Sequence, residues 1–139
     1  MTNKITEDTI EQNLIDLLKE QGYNYFYGPD IAPYSDSPER SSFSWVVLEN
    51  ILKSSLERLN PGVPEYAKKE AFERILNLGT NDLMVNNEKF HTYLTDGITV
   101  EFFRDGETRN EIVKLLDVVN PENNDFSVVN QLVVRENDV

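Results

Sequence analysis

The chain contains no cysteine, which excludes a disulfide framework, a thiolate metal site and a cysteine nucleophile. It has one histidine, His91. It has no long apolar run: nothing approaches the ~20 residues that span a bilayer. The opening MTNKITEDTIEQ is polar and acidic, without the apolar core of a signal peptide. A soluble, cytoplasmic protein with no membrane partner is the expectation. Positive charge is scarce as well, with 13 Lys and Arg against 25 Asp and Glu and a net charge of −12. A phosphate-binding surface needs clustered Lys and Arg, and only Lys68-Lys69 are adjacent. Alone, this chain is expected to bind DNA weakly or not at all. There is no P-loop, no G-x-G-x-x-G, no calcium loop of the D-x-[DN]-x-[DN]-G kind and no G-x-S-x-G elbow.

What is present is 139 residues, 39% of them hydrophobic. That length suits at most one domain, or a large piece of one. The acidity is spread, with 13 acidic and 8 basic side chains in residues 1–78 and 12 and 5 in the rest. No internal repeat or low-complexity tract interrupts the chain.

Thr6 before Glu7 and Asp8 is an N-cap followed by acids in the first turn. Ile10, Leu14, Leu17 and Leu18 then form a stripe at helical spacing, and Gly22 suits the position after the helix end. A helix over about Glu7–Gln21 follows. Tyr23 to Tyr27 suits a short strand, and Gly28 to Pro38, with three prolines, reads as a loop. Its tyrosines read as packing residues, because no basic residues interleave them as a base-stacking platform would require.

A second helix is predicted from Glu39 to Leu59, with Phe43, Val47, Ile51, Leu52, Leu56 and Leu59 inward, stopped by Asn60-Pro61-Gly62. Pro64 opens a third helix lined by Ala67, Ala71, Ile75 and Leu78. The two make a helical hairpin, an arm over about 39–79. Asn86 or Asn87 is expected to cap a short helix holding Phe90 and Leu94. From Gly97 to Glu136 the period changes to that of strands. Ile98, Val100 and Phe102 alternate with Thr99, Glu101 and Phe103, and Asp105-Gly106 supplies a hairpin turn. A return strand over about Arg109–Val119 and a third over Phe126–Arg135 complete the pattern. The third is apolar on both faces apart from Asn130 and Gln131, as an interior strand would be.

The fold class is therefore α+β: N-terminal helices with a helical-hairpin insertion, then a three-stranded, mostly antiparallel sheet over about 97–136. With only Glu136 to Val139 after it, the third strand is expected to lack a partner on its far edge, so the chain reads as one incomplete domain over 1–139.

Few residues offer chemistry. His91 has Glu88 three residues before it and Thr95, no metal ligand, four after; a capping or packing histidine is the better reading. Asn120 to Asp125 carries oxygen ligands without a calcium-loop pattern, so an ordinary turn is favoured. Carboxylates are the one abundant catalytic group. On the first helix Glu7 and Glu11 share an edge beside the apolar stripe. A carboxylate there can reach round a sheet end to a metal, or can be a solvated flank, and on the residues alone the flank is favoured.

Ile5-Thr6-Glu7-Asp8-Thr9-Ile10-Glu11 followed by Leu14-Ile15 and Gly22-Tyr23 resembles the opening of the restriction (R) subunit of type I restriction–modification enzymes. So do Phe43, Val47-Leu48-Glu49, Leu56 and Leu59-Asn60-Pro61, and then Asn86-Asn87, Phe90-His91, Leu94, Asp96-Gly97 and Val100-Glu101. The nearest run is Asn120-Pro121-Glu122-Asn123-Asn124-Asp125-Phe126 with Val128-Val129-Asn130-Gln131. The likeness covers essentially the whole chain in order.

The resemblance implies a restriction-endonuclease-like fold of the P-D…(D/E)-x-K type, in which an Asp and a Glu hold Mg²⁺ and a Lys helps activate water. It implies a parent that cleaves DNA with Mg²⁺, translocates it with ATP and assembles with methyltransferase and specificity subunits. A glutamate on the first helix often joins the metal site in this family. Glu11 is the position carried over, with Glu7 second, as candidate catalytic residues; Glu11 is also the candidate metal ligand. The family's Pro-Asp and Glu-x-Lys strands follow the segment matching Val128 to Glu136 and are not in this chain. The fragment itself is thus expected to be inactive, with neither Mg²⁺ nor ATP bound. Two other readings stand beside this one: a non-catalytic acidic interaction domain that docks other subunits, and an acidic protein that mimics DNA.

Overall fold

The computed structural model describes residues 5–136. Among them are four α-helices and two small sheets, an α+β arrangement. The chain divides into two compact units, one formed by residues up to Leu48 together with those from Asp125 on, the other by Glu49–Asn124. No helix among the described residues is long and apolar enough to cross a membrane.

In the first unit, α1 spans Glu7–Glu20. Thr6 caps it as expected, its Oγ1 accepting the Thr9 N–H at 3.3 Å. The buried face is not the expected one. Ile10, Leu14 and Leu17 stay 59%, 56% and 55% exposed, while Ile15 is buried at 3% and Glu11 and Leu18 are half-buried. The helix lies against β1 (Asn24–Tyr27) and β4 (Ser127–Asn130). That pair is only two strands of four residues each, too narrow to cover the whole apolar arc of α1.

β1 and β4 pair in parallel, Asn24 opposite Ser127 through Tyr27 opposite Asn130. The expected single three-stranded, mostly antiparallel sheet therefore does not form. The third strand ends at Asn130 instead of Arg135, because Gln131 turns into the left-handed region at φ +54. The ring of Tyr23 packs on Phe126 at 5.5 Å. The Asn24 side-chain amide donates to Asp125 Oδ1 at 3.0 Å, and Tyr25 donates its hydroxyl hydrogen to Asn130 Oδ1 at 2.7 Å.

The helix expected from Glu39 begins only at Glu49. Arg40 accounts for the difference. It is 2% exposed and donates from Nη1 to the Trp45 carbonyl at 2.7 Å and from Nη2 to the Val133 carbonyl at 2.9 Å. The Phe43 carbonyl is taken by the Arg135 N–H at 2.9 Å. Those carbonyls are thereby withdrawn from helical pairing. Ser42 and Ser44 bond to one another and to local backbone, the competition with helix that serine offers. Burial holds the Arg40 guanidinium below its ordinary pKa.

In the second unit, α2 (Glu49–Leu59) and α3 (Glu65–Leu76) pack on one another, and α3 packs on the hairpin of β2 (Ile98–Arg104) and β3 (Glu107–Val113). β2 alternates as read, with Ile98, Val100 and Phe102 buried. Asp105 at φ +54 and Gly106 at φ +80 make the tight turn. Ala67 and Ala71 are fully buried, so their small side chains let α3 come close to the strands; Leu56, Ile75 and Val113 complete the core. Tyr66 meets Phe102 edge to face at 5.9 Å. Lys68 Nζ is held by Glu57 at 2.8 Å and by Glu65 at 3.2 Å. The bond to Glu57 raises the Lys68 pKa and lowers that of Glu57.

α4 (Leu83–Asp96) starts earlier than expected, since Asp82 is its cap, not Asn86 or Asn87. Asp82 Oδ1 accepts from Met84 N at 2.9 Å and from Val85 N at 3.3 Å. His91 is exposed on α4, whose N-cap is Asp82 and whose C-cap is Gly97.

β3 stops at Val113 instead of running to Val119, because Asn60 takes over the backbone there. Its Nδ2 donates to the carbonyls of Leu56 and Lys114, both at 2.9 Å, and its Oδ1 accepts the Lys114 N–H at 2.7 Å. Beyond it, Asp117 Oδ1 accepts from Val119 N and Asn120 N, Oδ2 accepts from Asn123 Nδ2, and Asn124 bonds both the N–H and the carbonyl of Asp117. The Asn120 N–H is the first cause holding the Asp117 carboxyl below its usual range, followed by the Asn123 amide. This stretch is a hydrogen-bonded turn with a short 3₁₀ segment at Pro121–Asn123.

Asn60 is 4% exposed, so truncating it strands the groups it satisfies. Asn60→Ala should lower the unfolding free energy by roughly 1–3 kcal/mol. Urea unfolding measures this, and an unchanged midpoint would show that the clamp contributes no stability.

Candidate functional site

The site is built where the parallel pair of the first unit ends. In open sheets, ligands gather beyond the carboxyl ends of parallel strands, and here that end is Tyr27 and Asn130. The first helix supplies the wall, with Asp8 and Glu11 three residues apart and so on one helical face. A cavity of about 440 Å³ is lined by Asp8, Glu11, Gln12, Tyr25, Tyr27, Asn130 and Gln131. Its lining is polar and carries two carboxylates and no basic side chain.

Glu11 is the best-held acid in the cavity. Both its oxygens accept from Gln131 Nε2, Oε1 at 3.1 Å and Oε2 at 3.2 Å. Gln12 turns aside to Asp16, donating to Oδ1 at 2.9 Å. Asn130 is occupied by the Tyr25 hydroxyl. Gly28 makes the junction possible: a Cβ there would stand 2.3 Å from the Gln131 carbonyl oxygen and 2.7 Å from that of Asn130. Only glycine fits between the two strand ends.

Of the two glutamates singled out in the sequence, the cavity includes Glu11, while Glu7 is exposed on the first turn and lines no part of it. Asp8 takes the place beside Glu11. The residues that sequence reasoning passed over are Asp8, Gln131, Asn130, Tyr25 and Tyr27. One signal for two of them was in view: Asn130-Gln131 is the polar break in an apolar run. The partnership of Gln131 with a residue 120 positions away carries no local signature.

Among the described residues no three His, Asp or Glu side chains gather closely enough to hold a metal ion. Mg²⁺ is commonly bound by one or two carboxylates, with water and substrate phosphate completing its shell. Glu11 and Asp8 are hard oxygen donors of that kind, so they fit part of such a site. They do not make a whole one.

Elsewhere, a cavity of about 210 Å³ in the second unit is lined by Lys53, Glu57, Lys68 and Phe72 among others. Of its lysines, Lys68 is held by two glutamates and Lys53 lies over the Phe72 ring at 4.9 Å.

Comparison with known proteins points in one direction. The family model described as type I restriction enzyme R protein N terminus matches residues 4–139. The chain is 34% identical over 131 residues to the type I restriction enzyme HindI endonuclease subunit of Haemophilus influenzae, covering 94% of this chain and 12% of that protein. It is 30% identical over 133 residues to the putative type I restriction enzyme MjaIXP endonuclease subunit of Methanocaldococcus jannaschii, covering 95% and 13%. The chain thus spans about an eighth of the length of these curated relatives. No solved structure matches.

The close approach at Gly28 gives the site a mechanical test. In Gly28→Ala the new methyl group must push the Gln131 backbone away, an overpacking that costs about 1–3 kcal/mol. The loss should appear in thermal unfolding together with shifted amide resonances at Tyr27, Asn130 and Gln131. A variant with wild-type stability and spectrum would refute the steric reading.

Proposed function

The chain belongs to the type I restriction enzyme R protein N-terminal family, and from that premise we propose that it is the opening part of the nuclease region of a DNA-cleaving R subunit. The observation that carries the reading is the match over residues 4–139. The geometry that supports it is a single held carboxylate, Glu11, at the end of a parallel strand pair. In this reading the fold is restriction-endonuclease-like and incomplete. β4 pairs only with β1 among the described residues, and its other edge is where strands bearing the remaining acids and a lysine would add.

Each residue then has a limited task. Glu11 would offer an oxygen to Mg²⁺, and Asp8 would add negative charge beside it. Bound there, the ion would supply positive charge to a phosphate and a more acidic water. The 139 residues alone hold no stable Mg²⁺ centre and bind no ATP. The parent subunit is the DNA-cleaving, ATP-driven enzyme, assembled with methyltransferase and specificity subunits.

A second reading, a docking module for those subunits, is favoured by the stripe Ile10, Leu14 and Leu17, more than half exposed on α1. Apolar side chains aligned on one exposed face mark an interaction surface more often than they mark chemistry. In a pulldown against the methyltransferase and specificity subunits, Leu14→Asp should reduce capture by the chain; no capture by the wild type at micromolar concentration counts against docking.

The nuclease reading makes its own demand. A clean preparation of the 139-residue chain should leave supercoiled plasmid intact in Mg²⁺, because the other acids and the lysine are not in it. Metal-dependent nicking by this chain would overturn that assignment.

A further inference from the structure

We infer that Gln131 is a positioning residue for Glu11, a role that rests on the reading of Glu11 as the functional carboxylate of this region. The carboxamide orientation is forced: an ionised carboxylate only accepts hydrogen bonds, so the nitrogen and not the oxygen of Gln131 must face it. One NH₂ group stands 3.1 and 3.2 Å from the two oxygens. It fills the space between them, the side from which both oxygens together would chelate a cation. Glu11 is left with the outer lone pairs and presents one oxygen at a time to the cavity. Gln131 Oε1 has no hydrogen-bond partner among the described residues, so the pair offers the cavity two hard oxygens of different charge.

The backbone says that this placement is selected against local preference. Gln131 sits at φ +54, a conformation uncommon outside glycine and asparagine. It ends β4 at that residue and brings the carboxamide to a helix 120 positions earlier in the chain. Gly28 permits it, since any Cβ there would collide with the Gln131 carbonyl. Strain of this kind persists where the surroundings over-determine it, and such places cluster at functional sites.

The test separates positioning from folding and from the metal reading. Gln131→Gly is the informative variant, because glycine is at ease at positive φ and the fold should survive with the clamp removed. In the isotope-labelled 139-residue chain, the Glu11 side-chain carboxyl carbon and the Gln131 side-chain NH₂ resonances report the bond directly. Glu11→Gln should move the NH₂ resonance, and Gln131→Gly should move the Glu11 carboxyl carbon, with an unchanged melting temperature. Mn²⁺ in large excess serves as the metal probe, because its paramagnetic broadening reads the weak, transient contact that a single held carboxylate gives without a stable metal centre. Its broadening of resonances around Glu11 should vanish in Glu11→Gln and need about 10-fold more metal in Gln131→Gly, the loss typical of removing a group that orients a ligand. A carboxyl resonance and Mn²⁺ response in Gln131→Gly equal to wild type would overturn the inference. If the wild type shows no broadening near Glu11, the metal role of Glu11 fails, and the two resonances alone decide whether Gln131 positions it.

Discussion

Everything in the first unit depends on two four-residue segments, Asn24–Tyr27 and Ser127–Asn130, meeting in parallel across about a hundred residues of chain. A parallel pair cannot be closed by a tight turn; it needs a long crossover. A two-stranded sheet is also marginal by itself in water. The pair is secured from its sides instead. Tyr23 packs against Phe126, Asn24 bonds Asp125 and Tyr25 bonds Asn130. Each contact joins a residue before Gly28 to one after Asn124.

That dependence explains which parts of the fold were legible in the sequence. Thr6 capping α1, the Asp105-Gly106 turn and the alternation of β2 are decided within a few residues, and each was read correctly. Arg40, Asn60 and Gln131 were not, because their effect lies in distant backbone. Arg40 unwinds a predicted helix by drawing the carbonyls of Trp45 and Val133. Asn60, which reads locally as a helix stop, also ends a strand 54 residues later by bonding both polar groups of Lys114. The parallel partner of β4 was hidden for a plainer reason. Apolar periodicity says that a strand is buried and not which strand lies beside it.

The reversed face of α1 follows from the same geometry. Its apolar arc runs from Ile10 through Leu18 to Ile15, wider than a two-stranded ribbon can cover. The sheet takes the side that carries Glu11 and Ile15, leaving Ile10, Leu14 and Leu17 exposed. A carboxylate therefore occupies a half-buried position facing the strands, while leucines face outward. Hydrophobic bookkeeping alone would turn the helix the other way; the bond from Gln131 to Glu11 accompanies the orientation observed.

The run most like the R-subunit family, Asn120 to Phe126 followed by Val128 to Gln131, divides into two physical parts. Asn123 and Asn124 spend their side-chain amides on Asp117 and the Pro121 carbonyl, and Asn120 gives its backbone N–H to Asp117, closing a local turn. Gln131 is different: its backbone is strained, its carboxamide reaches another element, and its oxygen is unspent. The run thus contains a locally closed turn and one residue, Gln131, whose bond reaches the first helix.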